Sequence, residues 1–335
     1  MSRAPVSIVT GQTPLHQQAP GARAPILALD LDAIERVRVN LSAVERRIES
    51  LAGRRTVKKD WQIAWMLKAI TLMDLTSLAG DDTDGRVQRL CAKARQPVRA
   101  GGRGASGAEG LPIHAGAVGV YHDFVATAVA ALGDAPIPVA AVSTGFPAGH
   151  APMATKLAEI EASVTAGARE IDIVISRKHV LTSNWEALYE EVRAFRLACG
   201  PAHMKAILAT GELGSIRKVA QASLVAMMAG ADFIKTSTGM EGVNATLPVA
   251  LVMARMIRSH EEQTGVRIGF KPAGGISTAK TAMAYLALIK EELGRPWLEP
   301  ELFRFGASRL LGDIERQLEF HITGRYSAAN RHPMG

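Results

Sequence analysis

Short apolar runs alternate with longer amphipathic stretches from residue 71 onward. The runs are TLMDLT (71–76), HAGAVGVY (114–121), IPVAAVST (137–144), EIDIVI (170–175), HMKAILAT (203–210), DFIKTST (232–238), RIGFKPAGG (267–275) and LFRFGA (302–307). Many of their residues are β-branched, as strands favour. Between them, ATKLAEIEASVTAGA, NWEALYEEVRAFRLACG, SIRKVAQASLVAMMAGA and STAKTAMAYLALIKEEL repeat apolar residues at helical spacing. Strand and helix in alternation predict a parallel sheet. Eight such units, from near residue 71 to near residue 320, match the count and length of a (β/α)8 TIM barrel. An open doubly wound sheet is the alternative. It calls for G-x-G-x-x-G after an early strand, and none stands there.

The flanks read differently. Residues 1–27 are rich in Pro, Gln, Ala and Gly and predict a disordered tail. Residues 28–70 carry helical periodicity and form an N-terminal helical extension, followed by the barrel over 71–325 and a polar tail over 326–335. GGRGASGAEG (101–110) lies in the long loop before the second strand and reads as a flexible segment.

Composition narrows the class. A chain of 335 residues, 47% hydrophobic, can bury the core of one large α/β domain. No run of eighteen apolar residues is present, so no membrane partner is expected. The start lacks the apolar segment of a secretory signal, and Cys91 and Cys199 give neither a disulfide framework nor a metal spacing. A cytoplasmic location fits. The net charge of +7 gathers in Arg46–Lys59 and Lys93–Gly104. Aromatic residues do not interleave with these charges, so a solvated basic face is preferred to a nucleic-acid surface.

Three ionisable residues interrupt otherwise apolar strands: Asp172 in EIDIVI, Lys235 in DFIKTST and Lys271 in GFKPAGG. About two βα units separate the first pair and one the second, so strands four, six and seven bring all three to the carboxyl-end mouth, where barrel active sites form. A lysine beside another cation in an apolar cavity has its pKa lowered by desolvation and like-charge repulsion. Its neutral amine can attack a carbonyl to give a Schiff base, with an aspartate moving the protons. One strand lysine alone could equally snorkel to water or pair with a buried acid; three such residues together favour catalysis. The nine histidines are scattered without ligand spacing, so no metal and no cofactor is expected.

EIDIVI, KAILATGELG, ADFIKTSTG, VNAT and GFKPAGGIS, extended by LMDLTSL, DDTD and FRFGAS, resemble the deoxyribose-phosphate aldolase family over roughly Arg55 to Tyr326. RRTVKKDW and GRYSAA resemble its longer, eukaryotic-type members. The resemblance implies a metal-free class I aldolase that joins acetaldehyde to glyceraldehyde 3-phosphate, giving 2-deoxyribose 5-phosphate, or runs the reverse cleavage. It implies Lys235 as the Schiff-base lysine, Lys271 as the second lysine that lowers the pKa of the first, and Asp172 as the proton relay. Asp74, Thr76, Lys205 and Thr238 match residues around the substrate; for Asp74 a structural role at the mouth fits equally. Self-association into a dimer or larger stays open.

The expected phosphate site joins Gly239, Gly274, Gly275, Ser277, Gly306, Ser308 and Arg309. Ser277 and Ser308 also suit plain N-capping. Two cations of the family pattern are missing: Met240 stands where lysine is usual and Ser277 where arginine is usual, while Arg309 offers one in return. Gly119 replaces a cysteine common in the family, which suggests greater tolerance of acetaldehyde. The thinned phosphate site leaves a second reading, a related Schiff-base aldolase using acetaldehyde with a non-phosphorylated acceptor. A non-catalytic sugar-phosphate-binding barrel is a third, against which Lys235, Lys271 and Asp172 jointly count.

Overall fold

The computed structural model describes residues 23–58, 60–99, 110–328 and 331–332. Its centre is one eight-stranded parallel sheet: β1 Met73–Thr76, β2 Ala117–Val120, β3 Val139–Ser143, β4 Glu170–Val174, β5 His203–Ile207, β6 Phe233–Lys235, β7 Gly269–Lys271 and β8 Phe305–Ala307. Each strand from β1 to β6 pairs with the next, and β1 pairs with β8. Parallel bridges at Phe270–Phe303 and Ala273–Gly306 join β7 to the β8 side and close the barrel. All eight expected strands are present, each shorter than its apolar run. The run at 267–275 ends as strand at Lys271 because Gly274 and Gly275 turn with φ near +80°.

Before the barrel come α1 Leu31–Arg36, α2 Leu41–Glu49, α3 Leu51–Arg54 and α4 Asp60–Thr71. Around it lie α5 Asp84–Arg95, α6 Val125–Leu132, α7 Met153–Thr165, α8 Arg177–Leu181, α9 Trp185–Ala198, α10 Ile216–Met228, α11 Leu247–Thr264, α12 Ala279–Glu292 and α13 Leu310–Thr323. Side-chain caps start many of them: Asn184, Ser215, Thr246 and Thr278 each accept from the N–H three residues on. The extension is packed on the barrel, α1 against α10 and α2 against α11. Gln221 donates to Ile34 O at 3.1 Å to hold the first contact.

One expectation about the flanks needs correcting. Residues 23–27, placed in the tail, are docked. Ala24 N–H donates to Asp232 at 2.7 Å and Leu27 N–H to Met228 O at 2.8 Å, because the buried Asp232 needs donors. Residues 1–22 of that tail, and 100–109 of the Gly-rich stretch, lie outside the described residues. At the other end, Tyr326 stacks on Phe320 with ring centroids 4.4 Å apart, and His332 bonds Ser327 and Glu319. The described part of the C-terminal tail thus lies along α13. Much of the first basic stretch serves helix packing, since Arg47, Arg54 and Arg55 pair with Glu291 on α12.

Candidate active site

The carboxyl ends of the strands surround a cavity of about 630 Å³. Asp172, Lys235 and Lys271 meet at its floor. Lys235 donates to Asp172 Oδ2 at 2.7 Å, and Lys271 donates to the same oxygen at 2.7 Å. The three come together because β4, β6 and β7 alternate their side chains inward and outward. Ile171, Ile173 and Ile234 are buried among their apolar neighbours while the charged residues project inside. Lys235 and Lys271 are register partners on adjacent strands. Gly306 makes room for Ala273, since a Cβ there would lie 2.6 Å from Ala273 Cβ, with Lys271 Cε beside it at 3.4 Å.

Lys235 has its ammonium pKa pulled from 10.5 down to about 8. Burial is the main cause; Asp172 opposes it, and Lys271 and then Lys205 add to it. The ion pair with Asp172 does not win because that single carboxylate faces three ammonium groups. Burial works against the Asp172 carboxylate too, but Lys205, Lys235 and Lys271 hold it well below the usual range. Desolvation leads in lowering Lys235, and Lys271 helps.

Below this trio the charges continue. Lys271 also donates to Asp74, and Arg304 donates to the other Asp74 oxygen at 2.6 Å. Lys205 donates to Asp172 at 3.0 Å and to Glu170 at 2.5 Å, and Arg304 reaches Glu170 at 2.8 Å. Lys205 and Asp74 are fully buried and do not line the cavity. Lys205 is the register partner of Asp172, and Ile207, two residues beyond it, is the register partner of Lys235, so Lys205 reaches the trio from beneath Lys235. Glu170 and Arg304 escaped the sequence reading. Glu170 could have been found, since it lies two residues before Asp172 and therefore faces the same way.

Thr76, Thr238, Gly239, Gly274, Gly275, Ser277, Gly306, Ser308 and Arg309 all line the cavity, as do Gly119 and Met240. Among the described residues, however, the donors of Thr238 and Gly239 are committed. Glu241, another residue the sequence did not single out, accepts from Thr238 N–H at 3.0 Å, its hydroxyl at 2.7 Å and Gly239 N–H at 3.1 Å. Ser277 is no cap, because Thr278 caps α12, and α13 has no side-chain cap. Among the described residues the N–H groups of Gly275, Ser277 and Ser308 have no acceptor. Arg309 is exposed on the cavity wall at the start of α13, and Met240 is 56% exposed on the opposite lip.

A parallel barrel with two lysines and an aspartate at its carboxyl-end mouth is built for carbonyl chemistry at carbon, and this is the class the comparisons return. A family model described as DeoC/LacD family aldolase matches residues 68–308. The chain is 59% identical over 308 residues to the deoxyribose-phosphate aldolase of Mus musculus, covering 91% of this chain and 97% of that one. It is 58% identical, with the same coverage, to that of Homo sapiens. A tetrameric deoxyribose phosphate aldolase from Aeropyrum pernix superposes with a TM-score of 0.58 at 21% identity, over 84% of this chain and 99% of that one. The chain belongs to the DeoC/LacD aldolase family. It is an enzyme, an aldehyde-lyase acting on carbon–carbon bonds.

Proposed function

We propose that this enzyme cleaves 2-deoxyribose 5-phosphate reversibly to glyceraldehyde 3-phosphate and acetaldehyde through a Schiff base on Lys235. The observation that carries the reading is a buried amine, substantially neutral near pH 8, 2.7 Å from a carboxylate at the floor of an open cavity. In the synthetic direction the Lys235 amine attacks acetaldehyde, and Asp172 and Lys271 pass protons as the carbinolamine loses water. The iminium takes up the electron pair left when a methyl proton departs to the Asp172 side. The resulting enamine carbon bonds to the acceptor aldehyde, whose oxygen takes a proton, and water then hydrolyses the new iminium and frees Lys235.

The acceptor's phosphate would meet Gly275, Ser277, Ser308 and Arg309. Glu241 already occupies the amides of Thr238 and Gly239, and Met240 and Ser277 bring no charge. These observations favour, as the second reading, weak phosphate discrimination with good use of unphosphorylated acceptors. The buried thiols Cys91 and Cys199, their pKa values pushed up to about 11 and about 12 by burial, suit a reducing cytoplasm; a role in breaking down deoxyribose phosphate from nucleosides follows from the proposed cleavage itself. Acetaldehyde followed by borohydride tests the central claim. A two-carbon adduct is expected on the peptide holding Lys235, and an adduct elsewhere, or none, overturns it.

A further inference from the structure

We propose that Glu170 and Arg304 are positioning residues that tune the proton affinity of Lys235 in opposite directions, as the acid and the base that complete a charge-balanced ring beneath it. This deepens the Schiff-base reading and rests on it. The ring runs from Asp172 to Lys205, to Glu170, to Arg304, to Asp74, to Lys271 and back to Asp172. It alternates three acids with three bases, every member is buried, and every link is a hydrogen bond. Its charges sum to zero. Lys235 hangs outside it, sharing Asp172 Oδ2 with Lys271.

A proton on Lys235 is then the one charge in the barrel interior that the ring does not balance. Burying an unbalanced ion is costly, so the neutral amine is favoured. Five of the six ring members are held ionised: Asp74, Glu170 and Asp172 are lowered and Lys205 and Arg304 raised, each against its own desolvation. The groups facing Lys235 are Asp172 from β4, Lys205 from β5 and Lys271 from β7. On the cavity side stand Glu241, held by Thr238 with Arg177 3.8 Å away, and the exposed Arg309. None of these cavity-side groups belongs to the ring.

Glu170 and Arg304 line no part of the substrate cavity. They border a separate cavity of about 800 Å³ at the amino ends of the strands, with His114, His203 and Phe233. Whatever they do to the reacting amine therefore passes through the ring. Charge counting gives opposite signs for the two. Arg304→Gln leaves the ring one charge negative and makes Lys235 hold its proton more tightly; Glu170→Gln leaves it one charge positive and loosens that proton. At an effective dielectric of about 20, a unit charge roughly 10 Å away shifts a titration by about one pH unit.

The experiment is a pH series of acetaldehyde exposure with borohydride quench, read by intact mass and peptide mapping. The half-maximal pH for trapping Lys235 is expected to rise by about one unit in R304Q and to fall by about one unit in E170Q. It should return near the parent value in E170Q/R304Q, where balance is restored, and stay there in R304K. Shifts of one sign in both single variants, no shift in either, or a double variant that does not return would overturn the proposal. If R304Q does not fold, the near-isosteric E170Q decides alone, and an unmoved midpoint refutes. Failure of the parent enzyme to be trapped at Lys235 would instead remove the Schiff-base reading.

Discussion

Replacing Lys271 by methionine tests how much of Lys235's reactivity is electrostatic. Both ammonium groups lie 2.7 Å from the same Asp172 oxygen, so they can be no more than about 5.4 Å apart. At an effective dielectric of about 20 that repulsion is worth roughly 3 kcal/mol, or a little over two pH units. Its loss would return Lys235 from about 8 almost to the ordinary 10.5. At pH 7.5 the neutral fraction would fall from about one quarter to about one thousandth, roughly two hundredfold. Methionine keeps the length and apolar stem, so the cavity floor stays filled. The assay is the initial rate of acetaldehyde trapping on Lys235, measured from pH 6 to 10.5. The K271M rate should be about two orders of magnitude low at pH 7.5 and recover steeply toward pH 10, where any remaining deficit reads the lost proton transfer. A K271M protein trapped at the parent rate at pH 7.5, or one whose deficit stays constant across the series, would refute the reasoning.

Restoring cations at the lip with Met240→Lys and Ser277→Arg should raise kcat/KM for 2-deoxyribose 5-phosphate over 2-deoxyribose by about tenfold or more per charge-assisted contact; an unchanged ratio means phosphate does not bind there. A Cβ at Gly119 would come 2.7 Å from Thr76 Oγ1. Gly119→Cys should therefore lose about 1–3 kcal/mol of stability and be inactivated by high acetaldehyde faster than the parent; equal inactivation rates count against a role for this position. Asp232→Ala strands the buried Arg196 and unties Ala24, so urea unfolding should show a loss of about 3–5 kcal/mol. Because Asp74, Glu170 and Asp172 are acidified by folding, the stability they contribute is complete above about pH 5 and lost as pH falls through their folded-state values; a urea midpoint flat from pH 6 to pH 3 would contradict this.

The eight strands were legible because a barrel strand is covered on both sides and shows as a continuous apolar run. Asp172, Lys235 and Lys271 were legible for the same reason, as charges with no solvent-side excuse. Depth was harder to see. Lys205 looked like a fourth mouth residue, but its level depends on the register of β5 against β6, which composition does not reveal. Arg304 was hidden differently: LFRFGA marked a strand, but Arg304 precedes its regular part and acts across the barrel on β1 and β4. Glu241 went unnoticed because it lies two residues beyond the glycine of TSTG, where a loop acid is ordinarily solvated. Here the Thr238 and Gly239 donors fold back and bury it. Residues 23–27 had the composition of a tail and found partners only because α9 and β6 present Arg196 and Asp232 together.

The seam between β7 and β8 has a consequence for the chain as it is made. β8 is the last strand, and Arg304 and Gly306 arrive with it. A chain that has folded only as far as β7 has no Arg304 to join Asp74 to Glu170 and no wall at Gly306 beside Lys271. In that state the ring beneath Lys235 stays open, and Asp74 and Glu170 lack the base that joins them. The charge balance of the barrel interior is thus completed by the last strand to join it.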